Sequence, residues 1–390
     1  MGLLDGVKVV DFTHAYAGPF CSQILADFGA EVIKIERRDG GDQARTWGPF
    51  KNNYSAYYAS FNRGKKSLTL NIKDPEGQKI IYDLIKDADI VCSNFKAGTL
   101  EKYGVGYEQM KKIKPDIIYA TISGFGTKGE LSKYAAYDNV IQAMSGVMDV
   151  NGFADKGPTK IGPAIGDSYS GLLLLLGIVI AYYYRMKTGK GQQVDVTMLG
   201  ALFGLLEYPV LEYANNQKAL SRTGNTSHYT APNDVYKTKG DYAAVSVLND
   251  AQWQTFCDKF GIMKDEKFET NAQRLAHKDA LQQQIEAIFA DYTSKEVEEK
   301  LQDTDIPASA VIGIEDSLED AQMLARNMVI EVMDPVIGPL KLVGDPIHMT
   351  ENTLILDKPS PTLGQHTDDI LKNIGYTEEK INALRENGVI

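Results

Sequence analysis

Strand-like and helix-like segments alternate through the first 120 residues, and this alternation restricts the chain more than any other feature it carries. Residues 7–12 read VKVVDF, a short apolar strand, followed by a turn over 13–19 and a helical pattern through Phe28. Gly29 stands where a helix-ending glycine belongs, and residues 31–36 (EVIKIE) give a second strand. A right-handed crossover makes these two strands parallel neighbours. The alternation continues with a strand at 67–72, a helix at 75–88 that has Pro75 in its first turn, a strand at 89–92, a helix at 99–113 and a strand at 116–123. This order implies an open, mostly parallel α/β sheet.

Helical patterns dominate beyond it, at 138–148, 172–184 and 196–213, with a kink expected at Pro209. The run 172–184 is the most apolar in the chain. Gly177 interrupts it and Arg185 ends it, short of the ~20 residues that a membrane span needs, so a buried core helix is expected. A polar stretch at 221–239 reads as a crossing into a smaller α+β region with a strand at 242–248 and helices at 251–260, 278–292 and 294–302. Strands at 329–333 and 340–343 and a helical tail from 366 to 386 close the chain.

With 390 residues there is room for two domains, and the net charge of −11 speaks against a nucleic-acid or membrane-surface partner. Cys21, Cys92 and Cys257 are scattered without a CxxC pair, which suits a reducing cytoplasm, and the five histidines have no ligand spacing, so no metal site is expected.

The chemistry centres on residues 162–171, GPAIGDSYSG, where Asp167 sits among small residues just ahead of the apolar run. Two readings stand side by side. Asp167 or Ser168 caps the helix, or Asp167, ionised by the positive end of the helix dipole, attacks a thioester or takes a proton. A GxGxxG at 124–129 follows a strand but lacks the helix and parallel strand of a dinucleotide fingerprint. It is read instead as a loop beside a ligand. Arg37, Arg38, Arg45, Arg63, Lys65, Lys66 and Lys96 fall at strand ends or in loops. They are either cations for a phosphorylated nucleotide or ordinary solvated charges.

Taken together, Asp11-Phe-Thr, Ala17-Gly18-Pro19, residues 25–36 (LADFGAEVIKIE), Asn62-Arg63-Gly64-Lys65-Lys66-Ser67, Asn94-Phe95-Lys96-Ala97-Gly98 and Gly166-Asp167-Ser168 form an ordered series. Residues 187–196 (KTGKGQQVDV), Ile306-Pro307 and Gly364-Gln365-His366-Thr367 extend it. The chain resembles the class III (family III) CoA-transferases, such as formyl-CoA transferase and carnitine CoA-transferase, from Leu3 to Ile390.

The resemblance implies a Rossmann-like large domain at 1–221, a smaller α+β domain at 222–325, and a segment at 326–390 that returns to the large domain. It also implies a homodimer of two chains threaded like interlocked rings. Asp167 becomes the catalytic nucleophile, and Arg37, Tyr16, Arg63, Asn94, Lys96, Gly124, Gly126 and Asp138 become candidates for contacts with coenzyme A. No permanently bound cofactor is implied; acyl-CoA and a small or medium carboxylic acid are the substrates, in the cytoplasm, with no nucleic-acid or membrane partner. The formyl-CoA type has a glycine run where residues 223–239 have only Gly224, and glutamine where Tyr16 stands. These departures point away from oxalate and formyl-CoA. The alternatives are a 2-methylacyl-CoA racemase, whose Gly-His-Asp element reads Ala136-Tyr137-Asp138 here, and a non-catalytic CoA-ester-binding protein.

Overall fold

The computed structural model describes residues 2–390. Among them, six strands form one parallel sheet: β1 (Lys8–Asp11), β2 (Glu31–Glu36), β3 (Lys66–Thr69), β4 (Ile90–Ser93), β5 (Ile118–Ser123) and β6 (Gln192–Thr197). Their order is β3-β2-β1-β4-β5-β6. The chain therefore winds outward in both directions from β1 and β4, leaving a crevice at the carboxyl ends of these two strands, where ligands of such sheets bind. The central strands carry Val9, Val10, Ile90, Val91 and Cys92, all buried. Such continuous apolar runs are what a strand covered on both faces requires.

Helices α1 (Ala17–Asp27), α2 (Pro75–Ile85), α3 (Asp138–Ser145), α4 (Ile165–Thr188) and α5 (Met198–Gly204) pack about this sheet. Ile80, Ile81, Leu84 and Ile85 of α2 fill the core under β3 and β4. The expected helix at 99–113 is broken, since Gly104 has φ +73 and separates Thr99–Lys102 from Tyr107–Ile113.

Strand β6 lies outside the sequence expectation, which starts a long helix at Val196. Its residues QQVDVT sit at the sheet edge, none of them fully buried, so they lack an apolar signal. Thr197 ends this strand and caps α5 by accepting from the Gly200 N–H at 2.9 Å. Pro209 lies in the first turn of the separate helix Glu207–Asn216, where no kink is required.

Helix α4 also departs from expectation. Its 24 residues meet the length and composition of a membrane span. One face, with Leu174, Leu175, Ile178 and Ala181, is buried in the sheet core. Leu172, Leu176, Val179, Ile180 and Tyr183 on other faces are 44–59% exposed. The apolar run is thus only half a core helix, because the chain has more apolar helix surface than one sheet face can cover.

By contacts, residues 1–147, 161–208 and 321–390 make one compact unit, and 148–160 with 209–320 make another. The second has a three-stranded antiparallel sheet, from Asn233–Lys237, Tyr242–Ser246 and Ala308–Ala310. Its core gathers Phe256, Phe260, Phe289 and Trp253. In the first unit the C-terminal tail rejoins β3: His366 N–H donates to Ser67 O at 3.0 Å, and Asn71 N–H to Val389 O at 2.8 Å.

Candidate active site

Asp167 lies in the first turn of α4, behind the N-cap Ala164, which has no side-chain capping bond. Neither Asp167 nor Ser168 caps this helix, so the capping reading does not hold. Asp138, at the start of α3, does that work from outside by accepting the Gly166 N–H at 2.7 Å. A Cβ on Gly166 would lie 2.8 Å from Asp138 Oδ1 and would push that carboxylate aside. Gly171 answers a similar constraint: its Cβ would lie 2.5 Å from Ala17 O, so its absence lets α1 and α4 pack backbone to backbone. This approach brings the Ala17 N–H, the first of α1, onto the Asp167 carboxylate.

Two helix N-termini therefore face Asp167, and both favour its charge. Burial and the nearby Asp138 charge push the carboxyl up to about 7 against the Ala17 hydrogen bond. The helix end favours the charged form, and burial opposes it. Desolvation wins.

Asp167 opens onto a cavity of about 260 Å³. Its walls are residues 14–17 after β1, 94–96 after β4, 122–124 at the end of β5, and the segment 134–137. A second cavity of about 230 Å³ holds Thr13, Arg37, Asp42 and Gln43, and shares His14 and Phe95 with the first. A larger cavity, about 860 Å³, is lined by residues within 327–331 and 345–357 and contains none of the predicted site residues. Its size alone does not make it the site; the chemistry converges at the crevice.

The structure brings Asp167, Tyr16, Asn94, Lys96 and Gly124 to the first cavity and Arg37 to the second. Tyr16 bonds Ser168 through its hydroxyl, which burial makes harder to ionise, and its ring packs on Phe61 at 4.4 Å. Asn94 spends its amide on the chain: Oδ1 accepts from His14 N–H at 2.9 Å, and Nδ2 donates to His14 O at 2.7 Å. It positions the loop. Asp138 is engaged with Gly166 N–H and with Gln142 Nε2 at 2.7 Å.

Arg63 and Gly126 stand apart from both cavities. Arg63 is buried, forking onto Asp27 at 3.0 and 2.6 Å and donating to Val343 O. The Gly126 N–H is committed to Ser123 Oγ at 3.0 Å, with φ +81. Lys65 and Arg45, read with them as cations for a nucleotide, also point inward, onto Asp11 at 3.2 Å and Glu36 at 2.7 Å.

These inward charges hold the loop that carries Ala17. Lys34 Nζ donates to Thr13 O at 2.6 Å and pairs with Asp42 at 2.8 Å, and both side chains are sealed from solvent. Asp42 accepts from Ala15 N–H at 3.0 Å, and Asp11 from Thr13 N–H at 2.8 Å. Lys65 donates to Pro19 O at 3.1 Å and to Ser22 Oγ at 2.8 Å. Burial alone would raise Asp42, but Lys34 and the Ala15 and Ala44 N–H groups hold it at about 2. Burial pulls Lys65 down to about 8 despite Asp11. Ala15, at φ +66, is kept in the left-handed region by this cage. Sequence reasoning missed Lys34, Asp42 and His14. The only signal available was their place just after or within the strands that flank the crevice.

The carboxylate thus lies in the crevice at the strand ends of a parallel α/β sheet, beside a second cavity that carries an arginine. The chain belongs to CoA-transferase family III, whose sequence profile matches residues 4–367. It is 35% identical, over 99% of its length and 90% of the relative's, to succinyl-CoA:glutarate CoA-transferase of Mus musculus. It is 33% identical to acetyl-CoA:oxalate CoA-transferase of Acetobacter aceti, covering 97% of each chain. Among solved structures, a CAIB/BAIF family protein from Brucella suis matches with a TM-score of 0.86 and 36% identity, covering 96% of this chain and 99% of that one.

Proposed function

We propose that this enzyme moves CoA from an acyl-CoA to a free carboxylate through covalent intermediates on Asp167. The observation that carries the reading is the half-buried Asp167 carboxylate at the cavity wall, with the Ala17 N–H against it. The ionised carboxylate attacks the thioester carbonyl; the C–S bond breaks, giving a mixed anhydride and CoA thiolate. The thiolate then attacks the aspartyl carbonyl, releasing the donor acid and leaving an aspartyl-CoA thioester. The acceptor carboxylate attacks that thioester, and the returning thiolate takes the new acyl group and frees Asp167. Each step exchanges one acyl bond for another, so one difficult displacement becomes several easier ones.

In this reading Arg37 meets the nucleotide phosphates and Lys96 lies beside the arm of CoA, while the acyl group sits near Tyr16. The names of the relatives support a dicarboxylic acid such as glutarate as the acceptor class. The exposed apolar side of α4 supports burial against a second copy in a homodimer. Interlocking of the two chains rests on the family resemblance.

Incubation with succinyl-CoA and a hydroxylamine trap, followed by peptide mass mapping, should find the modification on Asp167. Asp167→Asn should bind CoA and lose transfer by roughly 10³-fold or more. Transfer at the wild-type rate by this variant would refute the mechanism. Because His14 shares the cavity with Asp167, an isomerase is a second reading. Solvent deuterium appearing beside the thioester, with no trapped Asp167, would favour it.

A further inference from the structure

Among the described residues, His14 is the one polar side chain that lines both cavities, and its ring makes no hydrogen bond. It lines both the Asp167 cavity and the Arg37 cavity. Its backbone is clamped on both sides by the Asn94 amide, and its ring packs on Phe95 at a centroid distance of 4.9 Å. The ring is therefore held in place by groups other than its own nitrogens.

Those nitrogens differ. Nδ1 is sealed from solvent with no partner, whereas Nε2 has no protein partner and is not sealed, so it is the atom open to the cavities. An orphaned buried N–H costs more than an under-used acceptor. The proton of a neutral ring accordingly belongs on Nε2, where a ligand can accept it.

We infer that His14 is a substrate-binding residue whose Nε2–H donates to an amide carbonyl in the pantetheine arm of CoA, where the arm crosses from the Arg37 cavity to Asp167. The inference rests on the proposed CoA-transferase reading, because it takes CoA as the molecule that spans both cavities. A carbonyl suits the site better than a phosphate. A phosphate would want a charged imidazolium, and burial, the largest influence, disfavours that charge with help from Lys34 and Arg37, against the pull of Asp42 and Asp11.

The test compares coenzyme A with adenosine 3′-phosphate 5′-diphosphate, which keeps all three phosphates and lacks the arm, by titration calorimetry on the wild-type protein, His14→Phe and His14→Gln. Phe keeps the ring packing on Phe95 without a donor, and Gln restores an N–H donor. Melting curves confirm that each variant is folded. His14→Phe should weaken CoA binding about tenfold, the worth of one buried hydrogen bond. It should leave the armless nucleotide unchanged, and His14→Gln should recover most of the loss. Equal weakening of both ligands would move the contact to a phosphate and overturn the assignment, as would unchanged CoA binding in His14→Phe. A wild-type protein that binds neither ligand would instead defeat the CoA-transferase reading itself.

Discussion

The two walls of the Asp167 cavity are built in opposite ways. The wall after β1 is a loop whose backbone is tied at several residues to the buried Asp11, Lys34, Asp42 and Lys65 and to the half-buried Asn94. The wall at 134–137 is surface chain, with Tyr134 and Tyr137 at 65% and 67% exposure. Its one regular piece is the short 3₁₀ turn Glu130–Lys133 just before it. The first wall fixes the N–H that meets Asp167; the second borders the space a substrate enters. Pre-organisation is thus concentrated where the covalent chemistry is proposed, at the cost of burying several charges.

That contrast predicts where substitutions hurt. Lys34→Met strands Asp42 in the interior and leaves Thr13 O without its donor. Removing one partner of a buried pair costs about 3–5 kcal/mol, and urea unfolding should show a loss of that size. Adding Asp42→Asn should restore part of it. If Lys34→Met unfolds at the wild-type urea concentration, the cage does not hold the loop.

The next largest effect is a pH dependence. Burial and Asp138 raise Asp167 to about 7 from an ordinary 3.8. The nucleophile must be ionised, so kcat/KM should fall about tenfold per pH unit below 7 and level off above it. For stability the sign is opposite. The folded state holds this proton more tightly than the unfolded chain does, so the contribution is present below about pH 4 and lost as pH rises to 7. Asp167→Asn should therefore raise the melting temperature by a few degrees at pH 8, about 1–2 kcal/mol after solvent screening, and change little at pH 4. A flat rate profile between pH 5 and 8 would show that Asp167 titrates elsewhere.

The same contrast explains what could be read from the sequence. The central strands were legible because Val9, Val10, Ile90 and Val91 form apolar runs, and Asp167 was conspicuous among glycines. Strand β6 was hidden because an edge strand needs little apolar character. The cage was hidden for a different reason. Lys34 and Asp42 are eight residues apart and meet only after β2 is set in the sheet, and nothing local tells Lys65, sealed inside, from Lys66, which pairs with Glu31 at the surface. Period-2 alternation gives faces, and the face of a charge at a strand end depends on its tertiary partner.

The smallest predicted effect tests the exposed wall. Tyr137 occupies the position where the racemase element has its histidine, and it lies on the cavity rim next to Asp138. As a proton carrier its hydroxyl would be indispensable, and Tyr137→Phe would abolish turnover. In the transferase mechanism no step needs a proton from that side, because every intermediate is reached by acyl exchange. Tyr137→Phe should then keep kcat within about twofold, with any change confined to KM, as removal of an exposed hydroxyl at the rim allows. Deep loss of kcat in this variant, with Asp167 still trapped by hydroxylamine, would mean that the exposed wall closes over the substrate and takes part in the chemistry. The division between a built wall and a merely bordering one would then be wrong.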